Sequence, residues 1–109
     1  MATTYKVLGQ VAPSATTATT LYTVPSATQA VVSTIVIANQ TTSAATFRIA
    51  VRVAGAALTA AQYVAYDVTV GASDSTALTL GITMGATDVL TVYGSTATLS
   101  FTAFGSEIA

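Results

Sequence analysis

Residues 47–53 read Phe47-Arg48-Ile49-Ala50-Val51-Arg52-Val53. The large apolar side chains fall on the odd positions, and Arg48 and Arg52 on even ones. A period of two is the signature of a strand with one buried face and one wet face, because successive side chains of an extended chain point to opposite sides. A helix would alternate three- and four-residue spacing between its apolar residues, whereas here the large ones recur at every second position. The stretch therefore predicts a β-strand with Phe47, Ile49, Val51 and Val53 on the core side.

The neighbouring segments extend the pattern. Tyr63 to Val70 predicts Tyr66, Val68 and Val70 on one face and Ala65, Asp67 and Thr69 on the other. Ala77 to Met84 aligns Leu78, Leu80, Ile82 and Met84. Val31 to Ala38 is apolar at nearly every position, as in a central strand covered on both faces. Thr and Val dominate the chain, and their branched Cβ atoms favour a pleated surface. Turn residues punctuate the runs at Pro13-Ser14, Pro25-Ser26, Asn39 to Ser43, Gly55, Gly71 to Ser75, Gly85 to Asp88 and Gly94-Ser95. Strands are expected over 4–11, 18–24, 29–38, 45–53, 63–70, 76–83, 88–93 and 98–105. Ala56 to Gln62 is the one candidate for a short helix or turn.

Eight short strands evenly spaced by turns predict an all-β fold, a single antiparallel β-sandwich of jelly-roll or Ig-like type, spanning 1–109 as one domain. Its expected core comprises Ile35, Ile37, Phe47, Ile49, Val51, Val68, Leu78, Leu80 and Leu90.

Composition narrows function by exclusion. The 109 residues contain no Cys and no His, which removes thiolate chemistry, disulfides and the commonest general base. Seven side chains are charged: Lys6, Arg48, Arg52, Asp67, Asp74, Asp88 and Glu107, or 6% of the chain against roughly a quarter in an average domain. A net charge of −1 offers no electrostatic footprint for nucleic acid or an anionic membrane. No apolar run is long enough for a membrane-spanning helix, and MATTYKVLGQ lacks the basic and apolar regions of a signal peptide. So low a charge suits a subunit that works inside an assembly.

The search for chemistry returns little. Asp74 in GASDST and Asp88 in GATDVL sit in turn contexts, where Asp accepts from nearby backbone N–H groups. Asn39-Gln40-Thr41 matches a glycosylation sequon but reads as a turn. No dense oxygen-ligand loop points to calcium, and no Gly-rich loop precedes a helix to hold phosphate. The expectation is no catalytic residue, no metal and no cofactor. Arg48 and Arg52 lie four residues apart on one strand face, about 13 Å apart by strand rise. They are the candidate partner-contact residues, set against the plainer reading of solvated charge. The aromatic side chains are scattered over the strands, which points to core packing. A sugar-binding face would require Tyr63, Tyr66 and Tyr93 to be exposed together.

Several stretches carry a resemblance. TTLYTVPSATQAVVSTIVIANQ (19–40), ATFRIAVRVAGAAL (45–58), YVAYDVTV (63–70), TALTLGITMGATDVLTVYGS (76–95) and LSFTAFGSEI (99–108) resemble short virion structural proteins of tailed bacteriophages, including cyanophages. The most specific pieces are LYTVP followed by AVVSTIVIAN, and FGSEI near the C-terminus. The resemblance implies a non-enzymatic β-sandwich in the virion, assembled in the bacterial cytoplasm. A capsid decoration (cement) protein is its first reading. A tail, baseplate or head-fibre subunit is the alternative, and a host-surface carbohydrate-binding module a second. The implied partners are copies of itself, possibly as a trimer, and other virion proteins such as the major capsid protein, with neither nucleic acid nor membrane.

Overall fold

The computed structural model describes residues 2–109. Among these residues nine strands occur in chain order: β1 (Thr3–Val11), β2 (Thr19–Thr23), β3 (Gln29–Asn39), β4 (Ala45–Arg52), β5 (Tyr63–Val70), β6 (Ser75–Leu78), β7 (Ile82–Met84), β8 (Val89–Gly94) and β9 (Leu99–Ile108). One sheet has the order β1-β9-β3-β6, with β7 also paired to β3, and the other the order β2-β8-β4-β5. Every pairing is antiparallel. With β6 and β7 counted as one interrupted strand, these are two four-stranded sheets that exchange strands in the order of a jelly roll. Of the two sandwich types anticipated, the strand order selects this one.

The expected strand over 76–83 is in fact two. Gly81 adopts φ +63°, a left-handed conformation open to glycine at little cost, and it breaks the run between Leu78 and Ile82. Leu80 falls in this break and is 45% exposed, which corrects its placement in the core. The 56–62 region resolves into a 3₁₀ turn at Ala60–Gln62, preceded by another at Val53–Gly55.

The core lies between the sheets. Phe47, Ile49, Ile35, Ile37 and Leu90 are fully buried as anticipated, and Val51 and Leu78 are half-buried against them. Phe101 meets Phe47 edge-on, with ring centroids 6.2 Å apart. Val68 is 36% exposed on the edge strand β5, although it lies opposite Phe47, and this too corrects the predicted core. The reading of β3 as doubly covered is also corrected. Its inward residues are buried, but Val31, Val36 and Ala38 look outward and are half-exposed, because no third layer lies over that sheet. The doubly covered strand is β8, where Val89 to Val92 are all buried.

Bulges set which side chains face where. Between Val32 and Thr34, and between Val7 and Gly9, β3 and β1 each carry one extra residue relative to β9. Main chain approaches so closely here that a Cβ on Gly105 would lie 1.9 Å from the Val31 carbonyl oxygen. Beyond the bulge Gly105 lies opposite the buried Val32, and Glu107 opposite the buried Ala30, so Glu107 points into the sandwich. There its carboxylate pairs with Lys6 at 2.9 Å and accepts a hydrogen bond from the Tyr22 hydroxyl of the opposite sheet. These two hydrogen bonds, Lys6 first, lower the Glu107 pKa below its ordinary value; burial and the same carboxylate raise that of Tyr22.

At the other end Asn39, 4% exposed, ties two loops together. Its Nδ2 donates to the carbonyls of Ser43 (2.9 Å), Val70 (3.3 Å) and Gly71 (3.2 Å), and its Oδ1 accepts from the Thr41 amide. Asp88 accepts from the Gly85 and Ala54 amides, and Asp74 from the Ser75 amide. All three are turn residues in geometry as in sequence context.

Candidate functional site

Charge is distributed unequally over the two outer faces. On the five-stranded sheet the outward positions run from Tyr5 and Val7 through Phe104 to Val31 and Val36, and no charged side chain is among them. Tyr5 is 83% exposed, and Val7 and Phe104 are exposed beside it. The outer face of the β2-β8-β4-β5 sheet, by contrast, carries both arginines, Asp67 and three of the five tyrosines.

A bulge builds this second face. Phe47 lies opposite Val68 and Ile49 opposite Ala65, so Arg48 faces two residues of β5, Tyr66 and Asp67. Asp67 has φ 52°, a left-handed conformation that Asp tolerates better than most residues. Tyr66 consequently leaves the face of Val68 and Val70, where strict alternation had put it, and joins Arg48 on the outside. The Arg48 Nε donates to Asp67 Oδ1 at 2.7 Å and Nη2 to Oδ2 at 3.4 Å. Its guanidinium carbon sits 4.1 Å from the Tyr66 ring centre and 4.3 Å from that of Tyr93, its cross-strand partner. Tyr63 meets Tyr66 edge-on at 5.0 Å with an interplanar angle of 87°. The Asp67 hydrogen bond, chiefly, holds the Arg48 charge even more firmly than an ordinary arginine's.

The three tyrosines therefore do come together. Tyr66 is exposed, and Tyr63 and Tyr93 are half-exposed. They form a slot around a cation rather than a flat strip of coplanar rings. Among the described residues, no protein group accepts from Arg48 Nη1 or pairs with the hydroxyls of Tyr63, Tyr66 or Tyr93.

Arg52 has a different role. Its Nε donates to the Ala56 carbonyl at 2.8 Å and its Nη2 to that of Gly55 at 3.0 Å, with Nη1 3.5 Å from Thr91 Oγ1. It pins the 53–62 loop over Thr91, while the Asp88 carboxylate fixes the Ala54 amide. That covering explains why the outward residues of β8 are buried. The two arginines thus share a face but not a function: Arg52 shapes the loop, and Arg48 stands in the aromatic cluster.

Tyr66 is a residue that alternation misplaces. A carboxylate inside an otherwise strand-forming run is unfavourable, and YVAYDVTV carried that signal of a bulge. Lys6, Glu107 and Tyr22 have no sequence signature, since they meet only through sheet packing. Among the described residues no three His, Cys, Asp or Glu side chains gather as a metal site would require, and no helix is long and apolar enough to cross a membrane. A depression of about 290 Å³ lined by Thr28, Gln29, Gly85 and Ile108 contains no charged side chain. A scan against protein-family models and a search of curated proteins found no match to this chain.

Proposed function

We propose that this chain is a non-enzymatic structural subunit of a tailed-phage particle, acting as a head decoration (cement) protein that binds the outside of the capsid and stabilises it. The observation that carries the proposal is the outer face of the β1-β9-β3-β6 sheet, which is uncharged throughout and exposes Tyr5, Val7 and Phe104. Burying such a surface against another subunit desolvates no ion, and its Thr and Ser hydroxyls can find new partners across the contact. The sequence resemblance supports the same reading. The jelly roll recurs in viral capsid and lectin domains, which supports it by analogy of fold alone.

The free sheet edges support assembly. The β2 edge is short, the β5 edge is bulged at Tyr66–Asp67, and the edge facing β3 is interrupted at Gly81. These are the usual means of blunting an edge. The β1 edge is the longer one: it runs nine residues, Thr3 to Val11, with Thr3 to Val7 all exposed. Its single charge, Lys6, is neutralised by Glu107. Pairing of β1 with a neighbouring copy would cover this edge, and a closed ring such as a trimer would do so without open polymerisation.

Cryo-EM of purified particles tests the assignment. Copies on every capsomer, with the Tyr5–Val7–Phe104 face turned to the shell or to a sister subunit, are the expected result. Copies confined to the tail or a vertex would replace decoration with the tail, baseplate or fibre reading. The double variant Val7→Asp, Phe104→Asp should fold, as judged by circular dichroism, and fail to occupy the particle.

A further inference from the structure

We propose that the slot formed by Tyr63, Tyr66, Arg48, Asp67 and Tyr93 binds neutral glycans. The chemistry starts from net charge. Asp67 compensates Arg48 through a two-point contact, so the cluster attracts neither anions nor cations strongly. It nevertheless offers both hydrogen-bonding senses within a few ångströms. Arg48 Nη1 donates, the Asp67 carboxylate accepts, and the hydroxyls of Tyr63, Tyr66 and Tyr93 can do either. A sugar hydroxyl is itself donor and acceptor, and it is the ligand group that this mixture satisfies.

The aromatic component fits the same ligand. A pyranose ring has apolar C–H patches beside its hydroxyls, and Tyr combines a large apolar ring with a polar tip. Tyr66 is 57% exposed, so much of its ring is available. Contact with the Arg48 guanidinium and edge-on packing against Tyr63 fix that ring before any ligand arrives, which reduces the ordering cost of binding. Tyr5, though more exposed, has no such neighbours.

The site also stands on rigid elements. Arg48 and Tyr93 are paired on the central strands β4 and β8, and the bulge on β5 delivers Tyr66 and Asp67 to the same side. The 53–62 loop, anchored by Arg52, borders the face. An acidic protein surface, the partner first expected for Arg48, is disfavoured because it would meet Asp67 as well. If the uncharged sheet faces the particle, this opposite sheet faces outward, where a host-surface glycan could reach it. Binding by the isolated subunit does not depend on that orientation.

The test is an NMR titration of the ¹⁵N-labelled protein with maltohexaose, cellohexaose, mannohexaose and chitohexaose, each to a concentration on the order of 10 mM, well above the weak affinity typical of a shallow site. At least one should shift the Arg48 Nε–H and the amides of Tyr66, Asp67 and Tyr93 in a saturable way. Tyr66→Ala should weaken that binding about tenfold or more, the size expected when an aromatic contact is lost. Its spectrum should otherwise remain folded, since Tyr66 lies outside the core. Three results would overturn the proposal: no saturable shift with any of the four sugars, binding unchanged in Tyr66→Ala, or shifts confined to another surface. A chain that bound only a sulfated glycan such as heparin, and lost it in added salt, would overturn the neutral class.

Discussion

Asn39→Ala tests whether one buried amide holds the loops at one end of the sandwich. The side chain donates to the carbonyls of Ser43, Val70 and Gly71 and accepts from the Thr41 amide. The bond to Val70 is fully buried, and its carbonyl would lose a partner with no water at hand. Leaving such a group unsatisfied costs about 1–3 kcal/mol, and the partly exposed groups recover most of their loss from water, so a total of about 3 kcal/mol follows. On a domain of this size that lowers Tm by roughly 10–20 °C. Urea unfolding followed by circular dichroism gives the free energy directly. Asn39→Asp sharpens the test. Its carboxylate would face three carbonyl oxygens, so its folded pKa must rise above the unfolded value of about 3.9. A raised folded pKa means the variant is at its most stable below the unfolded pKa and loses stability as pH rises through the folded one. Asn39→Asp should therefore be less stable than Asn39→Ala at pH 7 and regain ground in acid. A cost below about 1 kcal/mol for Asn39→Ala would make Asn39 an ordinary turn residue and refute the reasoning.

The Lys6–Glu107–Tyr22 contact predicts two pH limbs. Glu107 is depressed, so its contribution is full above the unfolded carboxylate pKa and lost as pH falls through the folded one; Tyr22 is raised, so its contribution is lost as pH climbs beyond the ordinary tyrosine value. Tyr22→Phe should flatten the alkaline limb and cost about 1–2 kcal/mol at pH 7, measured by denaturant titration across pH. In the core, Phe101→Ala should cost about 3–5 kcal/mol, whereas Leu80→Ala, at an exposed site, should cost less than about 1 kcal/mol; equal costs would contradict the strand break at Gly81. Gly105→Ala should destabilise far more than its single methyl suggests, because the new Cβ collides with the Val31 carbonyl, and unfolding curves indistinguishable from the parent would disprove the close approach.

The legible part of the fold was the part governed by period two. FRIAVRV placed Phe47 and Ile49 in the core and both arginines outside, and β4 runs without a bulge relative to β8, but the strand ends at Arg52 and Val53, expected on the core side, is 66% exposed in the turn that follows. Alternation failed wherever the backbone departed from regular pairing. At Tyr66–Asp67 one extra residue moved Tyr66 to the outer face; at Gly81 a left-handed glycine turned Leu80 to solvent. Bulges depend on what the partner strand offers, so a single run of residues can hint at one, as Asp67 does, without fixing which side chains it redirects. The apolar outer side of β3 looked like evidence of a covering layer for the same reason: hydrophobicity marks a surface that avoids water, without saying what meets it. Arg48 and Arg52 were singled out correctly as sharing a face, but their separate roles depend on β5 and the 53–62 loop, both remote in sequence.

The division of the molecule into two unlike faces follows from where so few charges can go. Beyond the bulges of β1 and β3, Glu107 turns toward the interior and is neutralised by the half-exposed Lys6. Asp74 and Asp88 accept backbone hydrogen bonds in turns at the ends of strands. That leaves Arg48, Arg52 and Asp67, and all three belong to the β4–β5 side. The five-stranded sheet is then uncharged as a consequence of the other placements, and its outer surface is easily desolvated. The opposite sheet keeps its one exposed ion pair wrapped in tyrosines, and remains the better hydrated of the two. Covering the uncharged sheet would therefore cost less desolvation than covering the Tyr–Arg–Asp face. Covering that face would bury Arg48 and Asp67, and a buried ion pair recovers its desolvation cost only with well-placed additional hydrogen bonds.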